Sequence, residues 1–403
     1  MLVDIDIYLT MAMGIAALAL GIFINEKIPF LKRICIPAPV TGGIIFSILT
    51  LLCHSCFDLQ FAFDGTLKDV CMVVFFTSVG FQSNVKVIKD GGRPLIILLI
   101  LISILIIIQN LSSVGIASAL GLNPLLGMTT GSIPMCGGHG TAAGFSGMLE
   151  ELGIGGASSI AMAAATFGLL SGSLLGGPLA FRLITKHGLK PRPEGESGHE
   201  EAFGEISVIE GKSSEKTFRS YTLAVYEIFA AVGLGTLMSK LLALTGINFP
   251  TYFGALIVAA LIRNFTEFVP SCPKLEMNEI TSVGNICLSL FLGMAMISLR
   301  LWELSSLAVP MLAMLSSQVL IMWLFARFLA FPLLGGDYDA ALLVSGMCGF
   351  GLGATPNAMA NMSAVCNKHG YSPVPFLIVP VVGAMFVDII NISIITVFIN
   401  IIS

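Results

Sequence analysis

Residues 345–362 read SGMCGFGLGATPNAMANM. The stretch is apolar enough to enter a membrane but cannot stay helical there. Gly346, Gly349, Gly351, Gly353 and Pro356 each disfavour helix, by about 1 kcal/mol per glycine and about 3 kcal/mol for proline. Thr355, Asn357 and Asn361 place hydrogen-bonding side chains just beyond the break. In a bilayer, broken backbone is tolerated only where other protein buries it or where it lines a water-filled cavity, so the break marks a site. Residues 129–147, TTGSIPMCGGHGTAAGFSG, have the same character. Their Met135-Cys136-Gly137 matches Met347-Cys348-Gly349 at an offset of 212 residues, just over half of the 403 in the chain. Interrupted apolar segments at corresponding positions of two halves point to the binding site of a secondary transporter.

The rest of the chain fits that reading. Hydrophobic residues make up 56% and charged residues 11%, with a mean hydropathy of +0.94, whereas a soluble domain carries about 25% charged residues. The class is a polytopic membrane protein, and nothing in the composition points to a nucleic-acid partner. Asp4 and Asp6, rather than basic residues, flank the first apolar segment, so it reads as a retained span and not a signal peptide. Nine cysteines, mostly in apolar segments, read as buried thiols.

Ten spans are expected, at 7–25, 41–57, 67–83, 95–120, 154–181, 222–244, 252–268, 280–299, 307–334 and 374–399. The second half repeats the first: PVTGGIIFSIL at 39–49 parallels PTYFGALIVAALI at 250–262, and VVFFTSVGF at 73–81 parallels LSLFLGMAM at 288–296. Five spans is an odd number, so the second half enters the membrane with opposite polarity. The expected fold class is therefore all-α, with two inverted-topology repeats of five transmembrane helices, each holding a Gly-rich re-entrant hairpin. The repeats occupy 1–185 and 221–403, their hairpins about 124–150 and 337–364, and a polar linker fills 186–220. Lys27, Lys32 and Arg33 follow the first span, Lys86, Lys89 and Arg93 the third, and Arg182, Lys186, Lys190 and Arg192 the fifth. The positive-inside rule then places the linker in the cytoplasm and both termini outside. Arg300 and Arg327 fit this pattern less well.

A helix that stops mid-membrane leaves unpaired N–H groups at one end and unpaired carbonyls at the other, with partial charges of about half a unit. N-termini attract carboxylates, while carbonyls with Ser, Thr and Asn oxygens suit Na+. Two hairpins meeting from opposite faces make one site for an anion and its coupling cations. Asp388 lies in the tenth span with Asn391 nearby, and an ionisable residue at that depth is a functional candidate. Asn285, Ser289 and Thr77 on the repeat-related eighth and third spans are candidate ion-lining groups, or ordinary interhelical hydrogen bonds. His139 is either a satisfied core histidine or a ligand.

Enzyme readings fare worse. Gly144-Phe145-Ser146-Gly147 spells the GxSG of an intramembrane serine protease, but that chemistry needs a histidine base within reach, and no later spanning helix carries one. HExxH is absent from the sequence. Gly211-Lys212-Ser213 imitates the end of a phosphate loop, but the glycine before it, Gly204, is spaced wrongly.

CGGHGTAAGFS and GFGLGATPNAMANM resemble the paired Gly-rich signatures of the bacterial sodium/glutamate symporter family, as do LWELSSLAVPMLAML at 301–315 and VPVVGAMFVDIIN at 379–391. The resemblance covers the chain outside the linker. It implies Na+-coupled uptake of L-glutamate across the inner membrane, no cofactor beyond the coupling ion, a homodimer in lipid, and elevator-like movement of a core holding both hairpins. It places Gly137, Gly138, His139, Gly140 and Thr141 in one half of the substrate site and Gly349, Gly351, Gly353, Thr355, Asn357 and Asn361 in the other. Pro134, Met135 and Cys136 stand where the family pattern has Thr, Leu and Ser, and Asn357 where Thr is usual. Alternatives are a carrier of another small carboxylate or hydroxy acid on the same scaffold, and, in a different class, a channel.

Overall fold

The computed structural model describes residues 2–28, 31, 36–84, 92–191, 214–244, 249–269, 275–302 and 307–403. The basic loop residues Lys32, Arg33, Lys86 and Lys89, and Arg192 with Gly211-Lys212-Ser213 in the linker, lie outside these described residues.

Apolar runs dictate helices, and helices dominate. In order they are α1 (Ile7–Lys27), α2 (Ala38–Phe57), α3 (Thr66–Gln82), α4 (Gly92–Ala119), the short α5 (Pro124–Met128) and α6 (Ser132–Met135), α7 (Gly138–Glu151) and α8 (Ala157–His187). The second half holds α9 (Ser214–Ala243), α10 (Phe253–Phe268), α11 (Met277–Ile297), α12 (Ala308–Leu333), α13 (Tyr338–Gly351), α14 (Thr355–His369) and α15 (Pro373–Ile402). Among the described residues eight helices are long and apolar enough to cross a membrane: α1, α2, α4, α8, α9, α11, α12 and α15. The expected third and seventh spans, α3 and α10, have 17 and 16 residues. At about 1.5 Å per residue they fall short of the ~30 Å hydrocarbon core. Both pack against α9 and against each other, and α3 also packs along α11, so protein covers much of their surface.

Three details depart from the sequence reading. Helix α8 continues to His187 instead of ending at 181, and α9 already begins at Ser214, inside the stretch read as linker. Leu2–Ile5 and Gln60–Phe63 form a two-stranded parallel ladder, β1 and β2, in an otherwise helical molecule. Strands of four residues are too short to show in a periodicity scan. The ladder ties the start of α1 to the start of α3 at one end of the molecule.

The helices pack as two groups. In the first, α1, α2, α3, α9, α10 and α11 pack on one another. In the second, α8 is central: it packs against α6, α7, α12, α13 and α14, while α4 packs against α5, α12 and α15. Gly168, Gly172 and Gly176, spaced by four along α8, let it approach the α13–α14 hairpin closely; a Cβ at Gly172 would lie 2.9 Å from the Cys348 carbonyl oxygen. Small residues at such spacing are how membrane helices gain close contact without a hydrophobic driving force. The two groups meet where α11 packs on α7 and where α3 packs on α15.

A buried polar knot joins α4 and α12. Gln318 Nε2 donates to the Gln109 carbonyl at 3.0 Å and to Ser113 Oγ at 2.7 Å, and all three side chains are fully buried. Interhelical hydrogen bonds in membranes contribute roughly 0.6 kcal/mol on average, with a maximum near 1.7. Gln318→Leu is expected to lower stability by about 1 kcal/mol or somewhat more, read as a lowered thermal midpoint of the purified protein in detergent. An unchanged midpoint would show that the knot contributes nothing net.

Candidate functional site

Both glycine-rich stretches break where the sequence says they must. In the first hairpin α6 stops at Met135, and α7 begins at Gly138, whose φ of +59° is a left-handed conformation that favours glycine. In the second, α13 stops at Gly351 and α14 begins at Thr355 with Pro356 in its first turn, the position where a missing N–H is harmless. The two breaks face each other: a Cβ on Gly138 would lie 3.0 Å from the Gly353 carbonyl oxygen.

Amide side chains tie the hairpins to each other and to the helices around them. Gln109 Nε2 donates to the Gly351 carbonyl at 2.9 Å, and the Cys136 thiol donates to Gln109 Oε1 at 3.2 Å, so one glutamine joins both hairpins. Asn110 Oδ1 accepts from the Ser132 N–H at 2.9 Å, while Asn391 Nδ2 donates to the Ser132 carbonyl at 3.1 Å. Asn357 and Asn361 donate to the carbonyls of Leu169 and Gly172 on α8, each at 2.9 Å.

Between the breaks and the first helix group lies a cavity of about 280 Å³, near the lower end of small-molecule sites, ~300–1,000 Å³. The segment 136–141 and residues 353–356 line it from the hairpins, Phe75 and Phe76 from α3, Asn285 and Leu288 from α11, and Gly383, Ala384 and Asp388 from α15. The first turns of α7 and α14 both border it; the N–H groups of residues 138–140 have no intrahelical acceptor, while in α14 only that of Thr355 lacks one, because Pro356 has no N–H and Asn357 donates to the Ala354 carbonyl at 3.0 Å. Pro37 at the start of α2 and Gln82 at the end of α3 also line it, so it reaches toward the end of the molecule opposite the β ladder. Phe76 stacks on Tyr252 with ring centroids 3.9 Å apart, and Phe145 meets Tyr252 edge-on at 6.2 Å.

Of the residues singled out from sequence, the structure brings Gly137, Gly138, His139, Gly140, Thr141, Gly353, Thr355, Asn285 and Asp388 together around this cavity. It places the others elsewhere. Gly349 packs on the backbone of Ala358, and Gly351 contacts Met322. Asn357, Asn361 and Asn391 brace the hairpins as described above. Thr77 and Ser289 donate to carbonyls of their own helices, Val73 at 2.7 Å and Asn285 at 3.0 Å. Sequence reasoning passed over Gln109 and Asn110, although two adjacent amides in an isoleucine run are a legible signal. It also passed over Gly383, which sits in a π turn, Val382–Phe386, just after Pro380. There a side chain would meet Thr355 Oγ1 at 2.8 Å; π turns of this kind frequently mark functional sites.

A family model described as sodium/glutamate symporter matches residues 3–371. The chain is 40% identical over 391 residues to the sodium/glutamate symporters of Escherichia coli (strain K12) and Shigella flexneri, across 96% of each chain. It is 38% identical to that of Haemophilus influenzae, across 95%. The chain belongs to the sodium/glutamate symporter family. This symporter-family chain is thus a multi-pass membrane protein of a transporter family, not an enzyme. Ser146 of the GxSG donates from Oγ to the Ala143 carbonyl at 2.9 Å and accepts from Ser158 Oγ at 2.8 Å, and His139 meets Thr166.

In this family member Gly138 is, among the described residues lining the cavity, the one glycine with a left-handed backbone. Gly138→Ala adds roughly 1–2 kcal/mol of backbone strain and presses on the facing break. The expected result is at least a tenfold loss of ligand affinity with helix content unchanged, measured by calorimetric titration and circular dichroism.

Proposed function

We propose that this protein carries L-glutamate into the cell together with Na+, by alternating access. The observation that carries the reading is the convergence of two helix N-termini and one carboxylate, Asp388, on a cavity between two separately packed helix groups. Helix N-termini hold carboxylates through free N–H groups and the helix dipole, and glutamate has two carboxylates to place. Hairpin carbonyls with the Thr141 and Thr355 hydroxyls are groups that Na+ can use as the coupling ion, with no cofactor required, and the Asp388 carboxylate is open to a cationic group. The relatives named above are symporters of sodium and glutamate by name.

The same reading extends to architecture. Residues 1–185 and 221–403 act as two inverted repeats joined by a cytoplasmic linker, 186–220, and the α5–α7 and α13–α14 hairpins are re-entrant. Support comes from the matched position of the breaks and from the pairing of α4 with α12 across the knot. The basic residues after the first, third and fifth spans favour an inner-membrane orientation with both termini outside. In that orientation the cavity reaches toward the cytoplasm and the Phe76–Tyr252–Phe145 cluster lies on its outer side, as in an inward-facing state. The hairpin group would move past the other as an elevator, with a homodimer in lipid supplying the stationary frame.

Purified protein in liposomes with labelled L-glutamate outside tests the reading. An inward Na+ gradient is expected to drive accumulation that disappears when Na+ is equal on both sides or replaced by K+. Folded protein that accumulates no glutamate under any Na+ gradient, or that accumulates only other carboxylates, would overturn the glutamate assignment.

A further inference from the structure

Asp388 is, among the described residues lining the cavity, the one carboxylate, and none of the others is Lys or Arg. No hydrogen bond or ion pair from the described residues satisfies it, nor are its oxygens sealed in protein: they open on the cavity. A carboxylate at this depth pairs with a cation or takes up a proton. Phe75, Phe76, Leu288 and Leu292 share the cavity with it. A hard cation such as Na+ prefers a shell of several oxygens. One carboxylate among aromatic faces suits an alkylammonium better, because such a cation is also attracted to ring faces.

His139 supplies a second acceptor. Its Nε2 lies 3.0 Å from Thr166 Oγ1, and that hydroxyl lies 3.0 Å from the Met162 carbonyl. With the hydroxyl proton directed to that carbonyl, the usual bond of a threonine within a helix, Thr166 accepts from Nε2–H. The neutral ring then keeps its lone pair on Nδ1, and the ring lines the cavity. Thr166 is a positioning residue that fixes this tautomer.

We infer that Asp388, with Nδ1 of His139, is the seat of the substrate's ammonium group, and that this pair selects amino acids over dicarboxylates and hydroxy acids of the same length. The inference rests on the cavity being the glutamate site. It leaves Na+ to the hairpin carbonyls.

Calorimetric titration of the purified protein at saturating Na+ tests it, with L-glutamate, glutarate and L-2-hydroxyglutarate as ligands. Wild type should prefer glutamate to the two amine-free compounds by about 10- to 100-fold, the range expected when a buried charged group is left unpaired. In Asp388→Asn the preference should fall to about one, because glutamate weakens while glutarate, no longer repelled, holds or improves. Thr166→Val, which leaves Asp388 in place, should narrow the preference without changing the Na+ dependence; it carries the test if the Asp388 variant does not fold. An unchanged preference in either folded variant would overturn the inference while leaving glutamate transport standing. So would equal weakening of all three ligands with a raised Na+ requirement, which would make Asp388 a Na+ ligand. Wild type that binds none of the three would instead overturn the glutamate reading itself.

Discussion

Everything in this molecule turns on what happens to a peptide group when a helix stops inside an apolar interior. An unpaired buried N–H or carbonyl costs free energy comparable to a lost hydrogen bond, and a helix end exposes several. Here amides from α4 meet two of the exposed groups: Gln109 donates to the Gly351 carbonyl and Asn110 accepts from the Ser132 N–H. The leading N–H groups of α7, and that of Thr355 in α14, are treated differently, because they border a cavity. The carbonyl held by Gln109 and the N–H held by Asn110 belong to the scaffold, while the first N–H groups of α7 border the cavity.

Much of the architecture was legible from residue types whose cost is purely local. Gly351, Gly353 and Pro356 cannot remain in a helix without penalty, and the helix does break between Gly351 and Thr355. Apolar runs of about 20 residues gave most helices to within a few positions. The site was legible only in part. Asn357 and Asn361 look like ligands on paper because asparagine in a broken apolar stretch suggests binding, yet their amides brace α8. Which way a side chain faces after a break depends on the crossing of three helices, and no local rule encodes that. Asp388 was legible because a charge at that depth is costly. Gln109, a neutral amide and so less costly to bury than a charge, was overlooked, its signal diluted by the isoleucines around it. The β ladder and the shortness of α3 and α10 depend on tertiary packing, which periodicity does not report.

Asp388 sits two residues past a π turn, and the two features are physically linked. Pro380 removes an N–H and crowds the preceding turn, and the helix accommodates an extra residue over Val382–Phe386. The absence of a side chain at Gly383 lets this bulge lie against Thr355 at the tip of the second hairpin. A helix without the bulge would place Asp388 about 100° away around its axis. The local irregularity of α15 therefore decides where the charge falls.

The small β ladder has a consequence of its own. It connects the segment before α1 with the segment before α3, and both helices belong to the same packed group. The amino-terminal residues are thus fastened to the framework rather than hanging from it. A spectroscopic probe attached there has a fixed reference position, from which the distance to a second probe beyond α14, near Gly370, becomes a ruler for displacement of one helix group against the other.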